Sequence, residues 1–369
     1  MTDFEKALPP LEKYAEMLQE SEAIHGISLW QDAWRRLRRD RISMIALSFL
    51  IILGVLALFT PLLPLQSPKS QDLRNRQFLS PTLSSVPLQI KGLDGEKYDQ
   101  QVSKLWHNPG FFDRMQISTR VLIFGDFSIP SLCGTDHLGR DLLSRLFWGA
   151  RISLIVGLVA TMVSLVIGVS YGAIAGFAGG IVDDVMMRIV DILYSVPFIF
   201  VVLYLISVLS EDEIQTWLEN HGIHRIIILY IVIGAIYWLT MSRVVRGQII
   251  SLKNEQYVDA ARTIGAGGMR IVFVHLVPNV LSIVIVYLTL TIPSVMLFEA
   301  FLSFLGLGVE PPSVSWGMLA NESIKVITPL EIHWWLVFYP ALAIALTLYS
   351  LNFLGDGLRD ALDPRMKNK

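Results

Sequence analysis

Residues 255–279 read EQYVDAARTIGAGGMRIVFVHLVPN, a polar, helix-forming island between two long apolar runs. Its charges are costly inside lipid, so the chain is expected to leave the membrane here. Asn254 is positioned to cap a short helix whose first turn carries Glu255, a charge that suits the positive end of a helix dipole. Gly265 ends that helix, because glycine adopts the left-handed conformation of a helix terminus without a steric penalty. Ala260 and Ala261 leave one side nearly flat, with Asp259 and Arg262 flanking the strip. A flat strip lets a second protein approach the backbone, so the island reads as a docking helix; an ordinary amphipathic loop helix is the alternative.

Outward from the island, composition sets the class. The 369 residues are 53% hydrophobic and 17% charged, with a mean hydropathy of +0.53, too apolar for a soluble domain of this length. The net charge is −2, and Lys and Arg are dispersed among acids, which argues against a nucleic-acid partner. A single cysteine, Cys133, excludes an internal disulfide and a cysteine-based metal or iron–sulfur site. The first apolar run starts after about forty residues and lacks a small-x-small cleavage pattern, so it is expected to persist as a signal anchor.

Residues 11–24 read as a weak surface helix. Ser28 then offers an N-cap for LWQDAWRRLRRDR, in which Trp30, Trp34 and Leu37 lie along one face and Arg35, Arg36, Arg38, Arg39 and Arg41 crowd the rest. This composition predicts an interfacial helix on anionic lipid, with a nucleic-acid arm as the competing reading. A spanning run follows directly, which places the arginines, and the N-terminus, on the cytoplasmic side. The first span is expected over residues 42–63. Residues 65–151 then lie outside, and the stretch VLIFGDFSIPSL at 121–132 suggests some strand.

Residues 134–154, GTDHLGRDLLSRLFWGARISL, predict a helix starting near Thr135 or Asp136 that pairs Asp136 with Arg140 and Asp141 with Arg145 at one-turn spacing. Asp136, His137 and Asp141 could instead hold a metal or act as acid–base groups; a structural, lid-like external helix is the other reading. The second span, 152–175, carries Gly157, Gly168, Gly172 and Gly176 for close helix contact. Gly179 and Gly180 make a tight turn into a third span over 185–209, kinked at Pro197. Asp184, Arg188 and Asp191 share a face of that segment and are expected to point into the bundle, as a structural ion-pair set or at the inner mouth of a pathway.

The fourth span is expected over 226–245, with Arg243, Arg246 and Lys253 marking its cytoplasmic end. The fifth runs over 278–297 with a kink at Pro293. Glu299, the only ionisable residue near its outer end, is expected to face the translocation path or to be held by a structural hydrogen bond. In EAFLSFLGLGVEPPSVSWGML, residues 299–319, Gly306 and Gly308 permit a reversal, Pro311 and Pro312 stop a helix, and Trp316 suits a membrane–water boundary. The last span, 335–354, is expected to close at Gly355 and Gly357. The sum is an all-α polytopic membrane protein with six transmembrane helices and both termini inside. Its expected parts are a cytoplasmic segment 1–41, a first span 42–65, an external segment 66–150, a core 151–358 and a tail 359–369. The chain has no G-x-x-x-x-G-K-[ST] loop, so any ATP must be hydrolysed by another polypeptide; the expectation is a non-enzyme without a cofactor or metal. An ion-coupled secondary transporter is the remote alternative, and it would need a deep intramembrane carboxylate and internal repeats.

The Asp259-Ala-Ala triplet, Gly265 four residues beyond it and Leu276-Val-Pro278 resemble the EAA loop of ABC-transporter permease subunits, with Asp259 where that family usually has Glu and His275 where it has an aliphatic residue. Residues 134–154 and 299–319 resemble the oligopeptide and dipeptide branch more narrowly. The resemblance is weak over residues 30–65 and close over 134–365. It implies the type I importer permease fold and a C-type permease subunit of the bacterial inner membrane. It also implies a second permease as pseudo-twofold partner, two ATPase subunits and an external solute-binding protein. Glu255, Asp259, Ala260, Ala261, Arg262, Gly265 and Pro278 would then meet the ATPase, while Asp184, Arg188, Asp191 and Glu299 are the candidates for the path or gate. Oligopeptides or dipeptides are the implied cargo, and nickel or another small solute is the alternative.

Overall fold

A computed structural model describes residues 29–106, 109–209, 211–221, 225–309, 311–328 and 331–362. The weak helix expected at 11–24, the Ser28 cap and the tail beyond 362 lie outside the described residues. Among the described residues the chain is helical, with no strand and one isolated bridge between Thr135 and Asp141. In chain order the helices are α1 (Leu29–Arg39), α2 (Arg41–Leu58), α3 (Glu96–Trp106), α4 (Phe111–Phe124), α5 (Leu142–Ala178), α6 (Gly180–Ser195), α7 (Phe198–Leu209), α8 (Asp212–Asn220) and α9 (Arg225–Leu252). They continue with α10 (Gln256–Thr263), α11 (Gly268–Phe304), α12 (Trp316–Lys325) and α13 (Trp334–Leu362).

Four helices, α2, α5, α11 and α13, are long and apolar enough to cross a membrane, and α6 with α7, bent by 79° at their break, make a fifth if they form one broken span. Pro197 sits in that break, where its missing N–H and its ring prevent an unbroken helix. The expected fourth span lies within α9. That helix packs along α5 in the most extensive helix–helix contact among the described residues. The glycines of α5 make this possible: a Cβ at Gly168 would lie 2.6 Å from Met241 Cβ, and one at Gly176 would lie 2.8 Å from the Arg246 carbonyl oxygen. From the other side, a Cβ at Gly234 would come within 2.6 Å of the Ala160 carbonyl. Small residues let two backbones approach where lipid supplies no hydrophobic drive between helices.

After its first residues, Gly268–Arg270, α11 passes through a π-helical stretch, Ile271–Leu276, and the Val277 N–H that follows reaches back to the Val272 carbonyl. Pro278 follows at once, and the wider π turn precedes a residue that offers no N–H of its own. This helix starts ten residues before the expected 278, at Gly268.

Several local expectations are corrected. The segment expected to include strand at 121–132 opens as the last turn of α4. Trp34 is turned outward beneath Arg38, 5.1 Å from its ring centre, and the inner face of α1 is Ala33 and Leu37, packed on Leu354, Leu358 and Ala361 of α13. Gly355 and Gly357 do not close α13; they lie inside it, where Gly355 faces Thr289 and Gly357 faces Ser43 at a distance that leaves no room for a side chain. Trp316 is enclosed by protein, only 2% exposed, with its indole N–H donating to the Leu146 carbonyl at 2.9 Å.

Candidate functional site

The polar island forms α10, capped at Glu255 rather than Asn254 and without a side-chain cap bond. Its C-terminal end is closed by Gly265 at φ +85°, with the Ala266 N–H on the Ala261 carbonyl (3.0 Å) and the Gly265 N–H on that of Arg262 (2.9 Å). A Cβ at Gly265 would meet nothing within 4 Å, so glycine serves the backbone angle alone.

The two alanines do not form one flat strip. Ala261 is buried with Val258 in a cluster that also holds Val245 and Ile249 of α9 and Ile271, Val272 and Leu276 of α11. Ala260 is exposed, between Tyr257 and the 84% exposed Ile264. Helical periodicity divides the pair, because residues one apart are separated by about 100° around the axis. Glu255 and Asp259 are exposed as well. Asp259 pairs with Arg262 at 3.2 Å, and Arg262 lies 5.9 Å over the ring of Phe177 at the end of α5. Pro278 stands in the first turn that follows the π-helical stretch of α11.

Beside α10, the ends of α5, α6 and α9 are tied by charge. Arg246 makes a two-pronged pair with the largely buried Asp183, and Arg243 reaches Asp191 at 2.8 Å while lying 4.5 Å over the ring of Tyr194. The Lys253 ammonium donates to the Gly176 carbonyl at 2.9 Å. Gly179 and Gly180, at φ +66° and +55°, supply the reversal from α5 into α6. Asp184, Arg188 and Asp191 were expected to point into the bundle, and all three are exposed instead. Asp183, one position earlier, is the acid that turns inward. Its place in the first turn after a glycine pair is the signal that marks it, since an acid there suits the helix dipole.

Glu299 does not face an open path within this chain. It is 1% exposed, accepts from Ser303 Oγ at 2.7 Å and Ser153 Oγ at 3.4 Å, and sits in a serine network that also receives the Trp316 and Val309 N–H groups. The carboxylate thus joins α5, α11 and the segment leading to α12.

At the opposite end of α5 lies a second buried charge cluster. Asp141 is the N-cap, accepting from the Ser144 N–H at 2.7 Å, so the helix starts after the expected Asp136. Asp136 pairs with Arg140 at 2.7 Å in the preceding turn, as expected, but Arg145 pairs with Asp136 at 2.6 Å and with Glu322 of α12 at 2.5 Å, not with Asp141. Burial pushes the carboxyls of Asp136 and Glu322 up, and the guanidiniums of Arg145 and Arg140 outweigh it and hold both below their ordinary values. Burial pushes the Asp141 carboxyl up to about 6 against its hydrogen bonds. Asp136, His137 and Glu322 bring ligand atoms within 4.8 Å of one another, and Arg140 and Arg145 already engage both carboxylates, which favours an ion-pair network over a metal or acid–base centre. Glu322 has no local sequence signal, because its partners lie 177 and 182 residues away.

This chain is thus an integral membrane protein of helices, with the polar helix α10 packed by one side against α5, α9 and α11. It belongs to the family described as binding-protein-dependent transport system inner membrane component, which matches residues 168–368. The N-terminal TM domain of oligopeptide transport permease C matches residues 28–81. The chain is 38% identical to the dipeptide transport system permease protein DppC of Bacillus subtilis, over 93% of this chain and 88% of that one. It is 38% identical to the oligopeptide transport system permease protein OppC of Escherichia coli, over 96% of each.

Proposed function

We propose that this chain is the C-type permease subunit of an ATP-driven importer and forms half of a translocation path for oligopeptides or dipeptides. The observation that carries the reading is the division of α10: one side is locked by Val258 and Ala261 into the core shared by α5, α9 and α11, and the other is exposed. A force applied to the exposed side by an ATPase moves three long helices together, because a close-packed core transmits displacement. Glu255, Asp259, Ala260, Arg262 and Gly265 form or shape that docking side, and Ala261 anchors it from within. Pro278 acts through the start of α11. A carboxylate or a guanidinium of the exposed set Asp184, Arg188 and Asp191 would meet a second permease or line the inner mouth, and Glu299 would brace the wall from behind.

In this reading six segments span the inner membrane, residues 66–150 lie outside, and residues 1–41 and 359–369 face the cytoplasm. The subunit performs no catalysis itself; two ATPase subunits hydrolyse ATP and an external binding protein delivers cargo. Purification of the tagged chain from its native membrane, with identification of its bound subunits, tests the assembly. ATP hydrolysis by that complex should rise with peptide-loaded binding protein and stay flat with a nickel-loaded one. The reverse pattern assigns the cargo to the small-solute branch.

A further inference from the structure

The external segment carries an apolar surface that transport does not account for. α4 buries Gln116, Ile117 and Arg120 but leaves Phe111 (87% exposed), Phe112, Met115, Leu122 (87%) and Ile123 uncovered. The helix is bound to the end of the first span. Gln116 donates to the Leu58 carbonyl at 3.4 Å, and Arg120 donates to the carbonyls of Leu63 and Leu65, each at 3.1 Å. Asp113 accepts both prongs of Arg151, at 2.7 and 3.2 Å, at the start of the apolar part of α5. These contacts set α4 level with the end of α2 and with Arg151, about two and a half turns into α5.

The order of residues around α4 fits that level. At about 100° per residue, the Gln116 side that touches α2 is followed by Ile123 and Phe112, then Thr119, whose hydroxyl donates to the Met115 carbonyl of its own helix, then Met115, Leu122 and Phe111, and finally the exposed Ser118 and Arg114. The apolar sector is therefore adjacent to α2, and the polar sector lies furthest from it. Below this sector α2 continues the same surface with Leu58, Val55, Ile52 and Ile51, each about half exposed or more. An open apolar groove of about 360 Å³ runs between α2 and α5 beneath α4, with Gly54 and Leu58 on one wall, Leu154 and Leu158 on the other, and Arg151 at its α4 end.

We propose that α4 is a membrane-interface helix, lying in the leaflet that meets the Leu58 end of α2, with phospholipid as the occupant of its apolar face. Continuity with the lipid-facing wall of α2 and the amphipathic order of α4 carry the assignment. Such a helix holds the external segment against the bilayer and keeps its orientation over the bundle independent of the cargo.

The native chain is suited to the test, because its single cysteine, Cys133, is buried. Phe112→Cys, Ile123→Cys and Ser118→Cys, each labelled with bimane, are purified with their partner subunits and reconstituted in phosphatidylethanolamine–phosphatidylglycerol vesicles carrying a shallow spin-labelled lipid. The labels at 112 and 123 are expected to be quenched by the lipid about twofold or more over the label at 118, with the order reversed for aqueous iodide. Equal quenching at all three sites overturns the proposal. So does shielding of 112 and 123 from both quenchers, which would mean that protein covers the face.

Discussion

Arg246 of α9 grips Asp183 of α6 through two parallel hydrogen bonds, 2.6 Å from Nε to Oδ1 and 2.7 Å from Nη2 to Oδ2. The pair closes the corner beside α10 and ties the first half of the bent segment to α9. A planar guanidinium makes this fork and an ammonium does not, so Arg246→Lys should behave like the loss of the pair. Discounted for the partial exposure of Arg246, Arg246→Lys or Asp183→Asn should each cost about 1–2 kcal/mol. Thermal unfolding of the purified complex reads this as a fall in Tm, and the double variant should cost little more than either single one.

α10 separates two substitutions that look alike in sequence. Ala261→Trp forces an indole into the cluster of Val245, Ile249 and Ile271, and should lower the amount of folded protein in the membrane. Ala260→Trp enlarges only the exposed face; abundance should stay near normal while ATPase binding, measured by co-purification, is lost. Normal binding by Ala260→Trp would remove α10 as the docking element.

Gly265 offers a test of the turn without a test of packing. Its φ of +85° is costly for a β-branched residue, and no atom lies where a Cβ would go. Gly265→Val should cost on the order of 1–2 kcal/mol through the backbone alone. Gly265→Asn, which tolerates positive φ better, should recover part of the uptake rate that valine loses.

The contact between α5 and α9 depends on glycine at fixed positions. Gly168→Val places a branched side chain against Met241 and the Trp238 carbonyl and should abolish accumulation of folded protein. Gly247→Ala, in the same α9 but with open space around its Cβ, should leave accumulation unchanged or raise it slightly. Quantitative immunoblotting of membranes distinguishes the two.

The cluster at the start of α5 predicts opposite responses to acid. Asp141, whose carboxyl is pushed up to about 6, favours its neutral form in the fold; its contribution is full below its unfolded value and is lost as pH rises through about 6. Asp136 and Glu322 are held low, so their contribution is present above their unfolded values and is lost as pH falls through their folded ones. Unfolding of the purified protein should therefore become harder from pH 7 to about 5 and easier in stronger acid, below about pH 4. Asp141→Asn, which keeps a capping oxygen, should flatten the upper limb only. Glu322→Gln leaves Arg145 with Asp136 as its remaining charge partner and should cost about 1–3 kcal/mol at neutral pH.

The amino-acid order by itself determined the membrane class, the positions of the apolar helices, the reversal at Gly179 and Gly180, the break at Pro197 and the existence of α10 with its glycine stop. These are written locally: hydropathy over a window, a missing proline N–H and a glycine at positive φ act within a few residues of themselves. Tertiary structure alone decided which of Ala260 and Ala261 faces outward, that Asp183 rather than Asp184 turns inward, that Trp316 and Glu299 are enclosed, and that Arg145 takes Glu322 as its partner. A charge or an aromatic ring will accept any suitable neighbour, and its choice is made only when helices distant in sequence pack and exclude water. Glu299 shows the difference most directly. Its cost in an apolar span is legible in one residue, and Ser303 meets it from one turn along the same helix, whereas Ser153 reaches it only through the packing of α5 on α11.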